Sequence, residues 1–113
     1  MLQIKRVYEE PDPRDGLRLL VDRLWPRGLA RERAGVDQWL KELAPSDELR
    51  QWFAHDPEKW QEFRTRYLRE LEAQRPLLNE ISHSARRETV TLLYAARDEE
   101  HNNAVVLKEL LEK

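Results

Sequence analysis

Apolar residues recur along this chain with two different periods, and the changes of period divide it into elements. Residues 2–8 (LQIKRVY) alternate imperfectly between apolar and polar, the two-residue period of a strand, and read as a first, edge strand. Residues 9–16 (EEPDPRDG) hold Pro11, Pro13 and Gly16 and read as a loop. Residues 17–24 (LRLLVDRL) form the second strand. An ordinary parallel crossover needs about a dozen residues or more. The first two strands are therefore either an antiparallel pair or not neighbours. Residues 30–34 suit a helical turn. Residues 36–43 (VDQWLKEL) are ambiguous: Val36, Leu40 and Leu43 lean toward a helical face or irregular structure, with a third strand as the alternative.

The middle of the chain switches to the helical period. Ser46 is a good N-cap, followed by Asp47 and Glu48 in the first turn, which predicts a helix over residues 47–54. Asp56 caps the next helix, with Pro57 at its first position, where a missing N–H costs nothing. That helix extends to about residue 74, and Trp60, Phe63, Tyr67 and Leu71 make one apolar stripe along it. The stripe reads as core, with a stacking surface for bases as its functional rival. Pro76 restarts the chain into a helix over residues 76–86. Residues 89–96 (TVTLLYAA) are apolar on both faces, as a central parallel strand would be. The polar turn RDEEHNN leads into an amphipathic helix that runs to the C-terminus. There is no repeat or linker. The order strand, strand, helices, strand, helix predicts one small α/β domain over residues 1–113, a short and mostly parallel sheet flanked by helices.

Composition narrows the function classes. Of 113 residues, 40% are hydrophobic and 37% charged, and the formal charge of −2 favours neither nucleic acid nor an anionic membrane. No apolar stretch approaches the ~20 residues of a membrane span, and the first residues lack a signal-peptide apolar region. Zero cysteines exclude disulfides, thiolate metal sites and thiol nucleophiles together. A soluble cytoplasmic protein is the expectation. Among the 20 basic residues, 15 are Arg, a bias that a GC-rich genome would also produce. The forked guanidinium matters where Arg residues cluster.

Two predicted strand ends carry dense polarity, Asp22–Arg27 and Tyr94–Asn103. If these strands lie side by side in parallel, the clusters meet where ligands bind in open α/β sheets. His101 and Asp22 are the candidate acid–base residues, His101 because its unperturbed pKa lies near neutrality. Arg23, Arg27 and Arg97 are candidate anion holders, and Trp25, Tyr94 and Asn102 candidate ligand contacts. Asp98 or Asn102 would cap the last helix, whose free N–H groups attract anions. Structural roles compete with each of these. Asp22 and Arg23 could belong to separate surface ion pairs, His101 could cap the helix, and Trp25 could plug the sheet edge. His55–Asp56 resembles a catalytic pair, but Asp56 already has a capping role. His83 reads as surface. Nothing has the spacing of a metal site, a phosphate loop or a serine elbow.

The motifs LVDRLWPRG, ELRQWFAHDPEKW and VTLLYAARDEEHNNAVVL, in that order, resemble the YeaO-like branch of the domain of unknown function 488 family, along essentially the whole chain. The resemblance implies a Rossmann-like α/β fold and no assigned reaction. Many relatives carry Asp-x-Arg-x-x-Pro after the second strand, a Cys after the late strand and Cys-His-Arg where the last helix begins. This chain keeps Asp22 and Pro26 but has Tyr94 and Asn102-Asn103-Ala104 at the other positions, so the resemblance does not carry a thiol or metal mechanism over. Two functions follow. The first is a small enzyme, or degenerate enzyme, binding an anionic small molecule such as a nucleotide or phosphorylated metabolite, its cofactor unknown. The second, less favoured, is a non-catalytic module that binds nucleic acid or a protein through the Arg14–Arg33 segment, where six Arg face three acids.

Overall fold

A computed structural model describes all 113 residues. Four strands, β1 (Leu2–Arg6), β2 (Leu17–Leu20), β3 (Gln38–Trp39) and β4 (Val90–Tyr94), form one sheet in the order β1-β4-β2-β3. Every neighbouring pair is parallel, with Leu2 opposite Val90, Leu19 opposite Leu92 and Leu20 opposite Trp39. The late strand is thus central, and β1 and β2 are not neighbours, which explains how so short a connection joins them. Residues 36–43 contribute an edge strand at Gln38–Trp39 followed by a short 3-10 turn, so the helical reading of that segment is corrected. Leu40 N–H bonds to Leu20 O at 2.8 Å: pairing with β2 outweighed local propensity.

The helices are α1 (Arg31–Ala34), α2 (Asp47–Phe53), α3 (Trp60–Leu71), α4 (Arg75–Arg87) and α5 (Asn103–Leu111). Their starts follow the expected chemistry. Ser46 Oγ accepts from Leu49 N–H at 3.1 Å at the start of α2, Asn102 Oδ1 accepts from Val105 N–H at the start of α5, and Asp56 accepts from Glu58 N–H to cap the 3-10 turn Pro57–Lys59 that leads into α3. The four longer helices cover one face of the sheet. There Leu19, Val21, Val90, Leu92 and Tyr94 meet Phe63, Tyr67 and Leu71 of the α3 stripe and Leu107 of α5. Phe63 and Tyr67 are fully buried, so the stripe is core.

The second face is covered by connecting segments and the single-turn α1. Near the strand exits it is apolar: Leu20, Leu93 and Val7 lie under Trp25, Leu29, Val36 and Trp39. Near the strand starts it is a buried ion network. Arg18, only 4% exposed, reaches Asp15, Ala34 O and Gly35 O, and Lys5 reaches the same Asp15 at 3.0 Å.

Candidate functional site

A parallel sheet puts all its strand exits on one edge, and here that edge opens into a cavity of about 730 Å³. Residues following every strand line it: Tyr8 after β1, Asp22–Arg27 after β2, Ala44 and Pro45 after β3, and Ala95–Asp98 with His101–Asn103 after β4. The two polar clusters picked out in the sequence therefore share one cleft.

Asp22 and Arg23 do not pair with each other. The Asp22 carboxylate turns inward. Its Oδ2 accepts from Ala95 N–H at 2.8 Å and its Oδ1 from the Asn103 side-chain amide at 3.1 Å. A side-chain oxygen thereby takes the next ladder position after Val21 N–H→Leu93 O, where β2 and β4 separate. The Asp22 main-chain carbonyl accepts from Trp39 Nε1 at 2.7 Å instead. No cation pairs with this carboxylate. Burial pushes its pKa up against the opposing pull of Ala95 N–H, Asn103 and the more distant His55. Arg23 turns outward, donating to Pro45 O at 3.3 Å, with Asp47 at 3.8 Å.

His101 sits at the other side of the cleft. Its Nδ1 is 2.9 Å from Asp98 Oδ2, and its ring meets Trp60 edge-on at 5.2 Å. Asp98 Oδ1 also accepts from the Glu100 and His101 N–H groups. The Glu100 N–H first, then the His101 ring, hold the Asp98 carboxyl below its usual range. Asn102, not His101, caps α5. This buried side chain also donates from Nδ2 to Asp98 O, which ties the start of α5 to the turn after β4. Asp22 and His101 line the same cavity, but no hydrogen bond joins them.

The remaining candidates divide. Arg27 and Arg97 line the cleft, are exposed, and have no acid partner. Trp25 lines it too, but its Nε1 donates to Leu29 O, its ring packs on Trp39 at 5.4 Å, and Arg31 lies over it at 4.6 Å. Its main work is covering the second face of the sheet. Tyr94 does not line the cavity: it is 2% exposed and packs in the helix-side core. The strand alternation points its ring at the helices, because it shares a face with Val90 and Leu92.

The sequence reading missed the wall opposite the strand exits, made by Arg50, Phe53, His55 and Phe63. Ala54 and His55 both adopt positive φ, 46° and 58°, an uncommon pair for non-glycine residues that turns His55 toward the cleft after α2 ends. The HDP turn after α2 was the only available signal, and it gave no direction. The Arg14–Arg33 segment is not one face. Arg14 pairs with Asp12, Arg18 is buried, Arg23 and Arg27 are in the cleft, and Arg31 lies on Trp25. No group of acids and histidines is placed to hold a metal ion, and no helix is long and apolar enough to cross a membrane.

Comparison with known proteins finds relatives along nearly the full length. An uncharacterized protein of Mycobacterium tuberculosis is 43% identical over 110 residues, covering 97% of this chain and 92% of its own. The uncharacterized protein YeaO of Escherichia coli is 40% identical over 110 residues, covering 97% of this chain and 96% of its own. No solved structure matches. A family model described as the inactive DUF488-N3 subclade matches residues 1–113, and the chain therefore belongs to the YeaO-like DUF488 family, within the subclade described as inactive.

Proposed function

We propose that this protein is a degenerate enzyme that binds an anionic small molecule, such as a nucleotide or phosphorylated metabolite, in the cleft beyond the strand exits. The observation that carries the reading is the convergence of Arg23, Arg27, Arg50 and Arg97 on one cavity whose only acids are Asp22 and Asp98. Arg27 and Arg97 have no ion pair to give up. Asp98 is engaged by His101, and Asp22 by Ala95 and Asn103. Forked guanidinium groups suit phosphate and carboxylate oxygens, and a partly apolar wall suits an organic ligand. The volume is in the range of small-molecule sites.

Binding without turnover fits three further facts. The subclade is described as inactive. There is no cysteine. Asn102 and Asn103, at the start of α5, serve as a helix cap and as a donor to Asp22 and Val21 O. No hydrogen bond joins His101 and Asp22, the candidate proton carriers. The nucleic-acid reading loses its main support with the dispersal of the Arg14–Arg33 segment.

The test is a titration of phosphate, AMP and acetate into the wild-type chain and Arg27→Gln/Arg97→Gln, followed by calorimetry and thermal shift. Saturable stabilisation of the wild type, weakened in the double variant, is expected through linkage. Equal, weak responses in both proteins would sink the anion-binding cleft.

A further inference from the structure

The cleft is cationic at its rim and acidic at its floor. Arg27 and Arg97 are exposed, whereas Asp22 lies deeper, between the ends of β2 and β4 and the start of α5. Two neutral donors are the only hydrogen-bond partners of its carboxylate, which has about four lone-pair directions to fill. A partly buried carboxylate with no cation is costly to keep ionised. The surrounding structure offers no Lys or Arg to it, since Arg23, its chain neighbour, turns away to Pro45 O and Asp47. A ligand that brought only negative charge would meet repulsion at the floor and attraction at the rim.

We infer that the cleft selects a two-ended small molecule, with an anionic group on Arg27 and Arg97 and an amine that donates to the free side of the Asp22 carboxylate. This deepens, and rests on, the anion-binding reading above. Asp22 then acts as the specificity-determining residue, and the ligand's ammonium supplies the cation that the protein omits. Charge-assisted N–H···O⁻ bonds in a partly buried site are stronger than neutral ones, so the amine end should discriminate measurably.

Matched pairs of ligands test this. Phosphoethanolamine against ethyl phosphate, and β-alanine against propionate, differ chiefly in the amine. Calorimetry on the wild-type chain should show the amine-bearing member binding about tenfold more tightly in at least one pair, equivalent to about 1.4 kcal/mol. In Asp22→Asn the ratio should fall to about one. In Arg27→Gln/Arg97→Gln both members of the pair should weaken together. Equal binding within both pairs on the wild type overturns the two-ended ligand and leaves the anion cleft standing. A preference that survives in Asp22→Asn overturns the role of Asp22. No binding by any of the four overturns the anion cleft itself. The wild-type comparison decides the question even where a variant does not fold.

Discussion

β2 has an acid and a base at each end, and the two ends treat them in opposite ways. At its start, Asp15 and Arg18 pair directly. Lys5 joins them, the Asp12 N–H adds another donor at 3.0 Å, and Thr91 Oγ1 donates to the Asp15 main-chain carbonyl at 2.7 Å. Burial alone would raise the Asp15 pKa, but Lys5, the Asp12 N–H and Arg18 together hold it below the ordinary carboxylate value. At the other end, Asp22 and Arg23 diverge, and burial prevails over two neutral donors to push the Asp22 pKa up. The first cluster is closed, with every partner supplied by the protein. The second is open and leaves a carboxylate and several guanidinium groups facing a cavity. Polar residues at a strand end are therefore not a site in themselves. What marks a site is incomplete pairing in a place with room for a ligand.

The glycines at the two ends give the largest expected contrast. Gly16 has φ +63°, and a Cβ built there would lie 2.1 Å from Thr89 O. Gly28 also has positive φ, +76°, but nothing lies within 4 Å of its Cβ position. Gly16→Ala should be among the exceptional cases, losing about 4–5 kcal/mol or preventing folding. Gly28→Ala should lose only the left-handed backbone cost of about 1–2 kcal/mol. Urea unfolding of both variants would show the difference, and similar losses would mean that the two ends are equally closed.

Asp15→Ala should come next, losing about 3–5 kcal/mol, because it strands a buried Arg18. The same measurement on Asp22→Asn should fall within about 1 kcal/mol of wild type at neutral pH. A large loss there would show that Asp22 is a structural residue like Asp15.

The pH dependence should also differ in sign. Asp15 has a lowered folded-state pKa, so its contribution is present above the ordinary value of 3.8 and disappears as pH falls through the folded value. Asp22 has a raised folded-state pKa, so the folded state holds its proton longer than the unfolded chain. Its effect is to reduce stability as pH rises from 3.8 through the folded value. Stability curves against pH should thus show Asp22→Asn gaining on wild type over that window. A parallel pair of curves would contradict the burial of the Asp22 charge.

Arg97→Gln should have the smallest effect on folding, within about 0.5 kcal/mol, since the side chain is exposed and unpaired. Its anion affinity should nevertheless drop. Loss of stability without loss of binding would make it the reverse of an open-cluster residue.

Much of this architecture was legible in the chain because its causes are local. Ser46, Asp56 with Pro57, and the polar turn before residue 103 announce helix starts through hydrogen bonds that reach two or three residues. The stripe Trp60–Phe63–Tyr67–Leu71 and the two-sided apolar run of β4 announce core, since each pattern is buried only one way. Parallel strands with polar ends also located the cleft from both sides. The other decisions belong to contacts between distant segments. Gln38–Trp39 became a strand because Leu19 and Leu20 offered an open edge 19 residues earlier in the chain. Tyr94 went into the core and Ala95 to the cleft because the sheet's alternation met the four longer helices on one face only. Arg18 and Arg27, both members of one apparently basic segment, were sent to opposite ends of β2. His55 joined the site through a backbone turn that its neighbours do not encode. Asp15 and Asp22 are the same residue type on the same strand's flanks, and sequence alone cannot tell the satisfied one from the open one. Pairing is a property of what lies across space, and only the folded chain brings Lys5 and Arg18 to the first while leaving the second with Ala95 and Asn103.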